Sequence, residues 1–359
     1  MNQPQVDLAG KRLLLIKPSS LGDVCHAVAS AWALKQRWPT LHLTWLVNTT
    51  FEPLIKPIGC VDATLPFERS RFKGLFGPLT RHGELKSFTR QLRDGDFEAV
   101  LDLQGLFRSG LFAWLTRARL RVGGSTAREG SRWFHNLRVP EPPQPVHARD
   151  RYDAIAAALG CSKPQRQDLD VSEPERERAR ELLKAAGHQG GPLVSVCPGA
   201  RWATKIYPPR QMAEVLDSLA AKAPQPVLTG SPDMLDLCDE TAAACKVARP
   251  VNLCGKTGLR ELAALLDQSR LLLTCDSGPM HIAAAQGRPV LSILGPTDPR
   301  RTGPYGQLER VVTGQCELMP CLKRECPGLG TKCMRDLAPA RVSEKALAIL
   351  AANTDMEVR

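Results

Sequence analysis

The segment Leu271–Arg288, LLLTCDSGPMHIAAAQGR, constrains the fold more than any other part of the chain. It opens with Leu271-Leu272-Leu273, a fully apolar run that reads as a strand buried on both faces. It turns through Asp276-Ser277-Gly278-Pro279 and continues as Met280 to Ala285, good helix formers stopped by Gly287. A second apolar strand, Pro289 to Leu294, follows at once. Strand, tight turn, helix and strand make half of a doubly wound parallel sheet. The turn puts Gly278 and small hydroxyls at a helix start, where free N–H groups and the helix dipole suit an anion, most naturally a phosphate. The same residues also suit a plain strand-to-helix turn capped by Asp276 or Ser277.

The chain begins on the same plan. Arg12 to Ile16 reads as a strand, Lys17 to Asp23 as a turn of Pro, hydroxyls and Gly. From Val24 a helix carries Val24, Val28, Ala31, Leu34 and Trp38 on one face and stops at Pro39; Leu41 to Val47 is a second strand. Two such units imply two similar α/β domains. Further strands are expected at 99–103 and 119–123, helices at 109–117 and 152–159, and a helix near the end of the basic segment 69–93. A composition change at Asp170 to Pro174 marks the boundary, so 1–170 forms the first domain.

Beyond it the pattern is regular. Strands at 193–197, 227–229 and 252–253 alternate with helices at 208–221, 234–244 and 259–266. The turns after these strands are Pro198-Gly199-Ala200, Gly230 to Asp233 and Gly255 to Gly258. Open α/β sheets bind ligands at such carboxyl ends, so the repetition points to a nucleotide site in 171–335. Residues 336–359 hold a final helix, Val342 to Ala351.

Composition sets the outer limits. The 359 residues suffice for two full cores, and no apolar run approaches the roughly 20 residues of a membrane span. The apolar core of the N-terminus is too short for a signal peptide, so a cytoplasmic location is expected. A net charge of +11 favours anionic partners. Between Arg69 and Arg138 stand fourteen lysines and arginines against six acidic residues. Aromatic content of 5% and the lack of any nucleic-acid fold signature argue against nucleic acid.

Twelve cysteines are present. Cys316, Cys321, Cys326 and Cys333 cluster with Pro and Gly between them. In a reducing compartment four such thiols suit metal ligands better than disulfides, and tetrathiolate ligation suits structural zinc or iron. A metal-free reduced loop stands as the alternative.

Three segments together resemble glycosyltransferase family 9, the lipopolysaccharide heptosyltransferases: Ser19 to Val24, Pro198-Gly199-Ala200 with Lys205 following, and Asp276 to His281. They lie in the family's order across nearly the whole chain. The resemblance implies a GT-B fold, two Rossmann-like domains with mostly parallel sheets facing across a cleft, the last helix crossing back to the first domain. It implies inverting transfer of heptose from ADP-heptose to the lipopolysaccharide inner core (lipid A with Kdo) at the cytoplasmic face of the inner membrane, with no cofactor needed for catalysis.

Inverting transfer needs a base for the acceptor hydroxyl and stabilisation of the departing diphosphate. The resemblance makes Asp23 the base and puts Lys205 on the donor phosphate and sugar. The alternatives are a capping carboxylate and a solvated lysine. Thr204 and Arg201 could add contacts. Ser277 and Gly278 would offer N–H groups, Asp276 and His281 would reach the sugar, and Asp233 and Thr257 would line the adenosine pocket. A half-buried structural role stands as the alternative for His281. Ser20, Gly22, Arg69 and Arg71 fall on the acceptor side, and the basic segment would meet an acidic glycolipid and anionic membrane. The turn Asp276-Ser277-Gly278 is closer to the second-heptose enzymes. Two other readings remain: the same chemistry on a protein or another glycan, or a non-catalytic nucleotide-sugar-binding GT-B protein.

Overall fold

A computed structural model describes residues 6–68, 82–144 and 146–353. The chain divides into two compact units, Met1–Asp170 and Val171–Arg359.

The first unit holds a six-stranded sheet made of β1 (Arg12–Ile16), β2 (His42–Val47), β3 (Ala63–Pro66), β4 (Ala99–Asp102), β5 (Leu120–Gly124) and β6 (Leu137–Val139). Its order is β3-β2-β1-β4-β5-β6, and every pairing is parallel. Leu13 to Ile16 of the central strand β1 are fully buried, as a strand covered by helices on both faces requires.

The second unit repeats the arrangement. Its strands are β7 (Val194–Cys197), β8 (Val227–Leu228), β9 (Val251–Asn252), β10 (Leu271–Cys275), β11 (Val290–Leu294) and β12 (Val311–Thr313). The order is β12-β11-β10-β7-β8-β9, again parallel throughout. Counted from its own first strand, each unit winds identically. The direction of winding reverses between β1 and β4, and between β7 and β10. At such a reversal neighbouring loops leave in opposite directions and open a crevice at the carboxyl ends of the strands.

Short strands at the sheet margins, β3, β6 and β12, escape the sequence pattern. Each is three or four residues long and only partly buried, so none shows an apolar run. The last helix, Pro339–Ala352, buries Val342, Ala346, Ile349 and Leu350 in the second unit's own core, beside Tyr207, Met212 and Leu216. Among the described residues no helix is long and apolar enough to cross a membrane.

Candidate active site

The carboxyl edge of the second sheet gathers the residues that the sequence pattern singles out. Gly199 and Ala200 follow β7, Gly230 to Asp233 follow β8, Gly255 to Thr257 follow β9, and Asp276 to Gly278 follow β10. Gly199 and Gly230 lie against Met234, where a Cβ would collide with its side chain at position 199. This keeps the β7 and β8 turns close together. Asp233 is exposed and Thr257 half-buried on the same edge. Ser277 stands at the N-cap position of the helix Gly278–Ala285 without a side-chain capping bond, and its hydroxyl lies 3.0 Å from that of Thr274. His281 stands one turn into that helix, half-buried.

At the reversal between β7 and β10 sits an ion pair. Lys205 Nζ lies 2.8 Å from Asp276 Oδ2, and Thr297 Oγ1 donates to the same oxygen at 2.6 Å. Asp276 is 6% exposed, so the carboxylate is stabilised by these two donors and not by bulk water. The ammonium also stands 4.4 Å from the ring centre of Trp202. The Arg324 guanidinium stands 5.4 Å from the same ring, so one indole carries two cations. Thr204, which begins as a candidate donor contact, is buried, and its hydroxyl donates to the Lys323 carbonyl at 2.9 Å. The Leu322 N–H donates to the Pro296 carbonyl at 2.8 Å. These two bonds tie the cysteine-rich loop to the turns after β7 and β11.

In the first unit Asp23 occupies the third position of the helix Leu21–Arg37. Its Oδ2 accepts from the Ser20 N–H at 3.0 Å and from the Ser20 hydroxyl at 2.8 Å. This is a capping box, the structural role weighed against catalysis. Its Oδ1 accepts from Tyr152 Oη at 2.8 Å and lies 3.8 Å from the buried Lys17 Nζ. Burial alone would raise the carboxyl; Lys17, the Ser20 donors and Tyr152 outweigh it and hold Asp23 below the usual carboxylate range. Burial, then the Asp23 charge, push the Tyr152 phenol well above its usual value, so it remains a donor. Burial pulls the Lys17 ammonium below its usual range, against the attraction of Asp23 and Asp102.

Sequence reasoning gave no role to Lys17, Tyr152, Trp202 or Thr297. Lys17 could have been noticed, as a charge directly after an apolar strand, and Thr297 as a hydroxyl after Gly295 at another strand end. Nothing local marks Tyr152, which lies 129 residues from its partner. Gly22 is buried beside Asp23. Arg69 and Arg71 lie outside the described residues. The metal site expected at Cys316, Cys321, Cys326 and Cys333 finds no support: among the described residues no three His, Cys, Asp or Glu side chains are placed to hold a metal ion. The thiols are free, and the Cys326 sulfur accepts from the Thr331 N–H at 3.2 Å.

Two parallel sheets of this one winding in a single chain are the arrangement of the GT-B fold. The solved structures agree. A glycosyltransferase family 9 protein of Veillonella parvula superposes with a TM-score of 0.81 at 22% identity, covering 97% of this chain and 99% of that one. The Escherichia coli ADP-heptose lipopolysaccharide heptosyltransferase II gives 0.76 at 25% identity, covering 96% and 99%. The model for glycosyltransferase family 9 (heptosyltransferase) matches residues 85–331. The chain belongs to glycosyltransferase family 9. The lipopolysaccharide core heptosyltransferase OpsX of Haemophilus influenzae is 30% identical over 310 residues, 85% of each chain. Lipopolysaccharide heptosyltransferase 1 of Pseudomonas aeruginosa is 29% identical over 363 residues, 95% of this chain and 98% of its own.

Proposed function

We propose that this glycosyltransferase moves heptose from ADP-heptose to the inner core of lipopolysaccharide with inversion. The observation that carries the reading is the Lys205–Asp276–Thr297 cluster at the second sheet's reversal point, beside the turn that opens the helix Gly278–Ala285. The ammonium meets charge growing on the departing diphosphate, and N–H groups at Ser277 and Gly278 add to it. Asp276 and His281 hold the sugar. Thr204 fixes the loop that carries Arg324, and Asp233 and Thr257 line the adenosine pocket. Transfer needs no metal ion: the Lys205 ammonium, the Arg324 guanidinium and the N–H groups at the helix start share the diphosphate charge between them.

Asp23 takes the acceptor proton through Oδ1, the oxygen that the Ser20 cap leaves available. Ser20 and Gly22 shape the turn on the acceptor side, with Arg69 and Arg71 contributing charge for an acidic glycolipid. Because that acceptor is membrane-borne, the chain works in the cytoplasm against the inner membrane.

The turn Asp276-Ser277-Gly278 supports the second heptose as the product. The first heptose is a second reading, supported by 29% identity to a heptosyltransferase numbered 1 against 25% to the Escherichia coli enzyme numbered 2. The test is a transfer assay with ADP-heptose and core acceptors carrying no heptose or one, read by product mass with Asp23→Ala in parallel. Transfer to the one-heptose acceptor alone supports the second heptose, and to the bare acceptor alone the first. Donor binding without transfer to either sinks the reading in favour of another acceptor or a binding protein.

A further inference from the structure

The helix Phe107–Leu115, FRSGLFAWL, breaks the usual division between a buried apolar face and a wet polar one. Its inner side, with Phe112 and Ala113, enters the first unit's core. Its outer side is also apolar. Phe107, Leu111 and Trp114 stand at i, i+4 and i+7, one face of a helix. Phe107 is 49% exposed and Trp114 54%.

A second element extends this face. The turn Ser131–Phe134 packs on the helix at Gly110, where a Cβ would fall 2.6 Å from Ser131 Oγ and 2.8 Å from the Phe134 ring. The Phe134 ring meets Phe107 edge to face at 5.4 Å. Beside it Trp133 is 71% exposed, its ring laid against Gly130. These three are the large hydrophobic side chains left exposed among the described residues of the first unit. All three fall on two elements in contact.

The stretch that carries them is strongly basic. From Leu103 to Arg138 the chain carries seven arginines, no lysine and one acid, Glu129. Arg108, Arg117, Arg119, Arg128, Arg132 and Arg138 are exposed. The Glu129 carboxylate accepts from the Phe107 N–H at 3.3 Å. Arginine grips phosphate through a two-pronged fork, and tryptophan prefers the boundary between headgroups and acyl chains.

We propose that this face seats the protein on an anionic lipid bilayer: Phe107, Leu111, Trp114 and Trp133 enter the headgroup boundary, and the surrounding arginines meet lipid phosphates. The inference rests on the reading of the acceptor as a membrane glycolipid and adds the surface that brings the chain to it. Apolar contact and phosphate attraction act together here, as for other proteins that lie on a membrane without spanning it.

The test uses the full chain with vesicles of phosphatidylcholine alone or mixed with phosphatidylglycerol, without donor or acceptor, so it reads docking apart from transfer. Wild type is expected to sediment with the mixed vesicles, less so as salt rises, and not with phosphatidylcholine. Trp114→Ala/Trp133→Ala is expected to weaken binding at least tenfold with an unchanged Tm. Arg108→Gln/Arg117→Gln/Arg132→Gln is expected to cost about fivefold per arginine. Brominated acyl chains should quench wild-type tryptophan fluorescence, a readout that needs no variant. Wild type that ignores anionic vesicles, or tryptophan variants that bind them fully, would overturn the proposal. So would a wild-type dimer that the tryptophan variants dissolve, which would make the face a contact between copies.

Discussion

Lys205 is held to Asp276 at 2.8 Å, and Thr297 shares the same carboxylate oxygen. In the proposed donor site the pair is therefore already neutral. A diphosphate brings at least two further negative charges, so other cations and N–H dipoles must share them. Arg324, 5.4 Å from the ring centre of the Trp202 that also carries Lys205, is one such cation.

Lys205→Ala leaves a nearly buried carboxylate facing an incoming diphosphate. We expect kcat/KM to fall on the order of 10²–10³-fold, the size typical of a lost electrostatic stabiliser. Steady-state kinetics with ADP-heptose checks this. A drop below tenfold would move Lys205 out of the site. Lys205→Ala/Asp276→Asn should recover stability lost in the single variant without recovering turnover.

Trp202→Ala removes the surface over which both cations are placed. The expected result is a KM for donor raised severalfold with kcat less affected, since the ammonium keeps its bond to Asp276. Calorimetric binding of ADP and AMP would locate the loss. A larger loss for ADP than for AMP places it at the diphosphate, and equal losses would not.

Asp23→Asn tests one carboxylate in two roles. The amide oxygen can still accept from Ser20, so the helix start should survive at a cost of about 1 kcal/mol or less. A base is lost outright, and turnover should fall at least 10²-fold. Full activity with a lowered Tm would reduce Asp23 to its capping role.

Tyr152→Phe removes one of the donors that keep Asp23 below the ordinary carboxylate range. A depressed carboxyl stays charged until the pH falls through its folded value. The acid limb of kcat/KM should thus lie below the usual carboxylate range in the wild type. It should move to higher pH in the variant. An unmoved limb would show that another group titrates there.

Glu175 gives a stability counterpart away from the site. Burial pushes its carboxyl up, but Arg260 and the Ser172 donors outweigh this and bring it to about 2. Its folded value lies below the unfolded one of 4.5. Its contribution is therefore complete above about 4.5 and lost as pH falls toward 2. Glu175→Gln should lower Tm at pH 7 and make little difference near pH 2, as thermal melts would show.

What could be read from sequence follows burial. β1 and β10 are buried on both faces, and an uninterrupted apolar run announces such a strand. The turns after them carry Gly and hydroxyls because a helix must start there in little space. β6 and β12 sit at sheet margins with one side open, so their composition hardly differs from a loop's. Within the sites, Asp23, Lys205 and Asp276 sit next to a strand or helix boundary and were visible. Tyr152 meets Asp23, and Trp202 meets Arg324, only through the fold, and a single sequence carries no trace of those distant pairings. The cysteine spacing stands out in the sequence, but what anchors that loop does not: Thr204 and Pro296 tie it down through the backbone of Lys323 and Leu322.

The shared winding of the two sheets has an evolutionary consequence. Among the described residues every strand pairing closes within one half, and the division at Asp170 and Val171 severs no ladder. Recombination between relatives at that junction would hand over an intact core on either side. New pairings of sugar donor and acceptor can then arise by a single crossover, with point mutations left only to refine them.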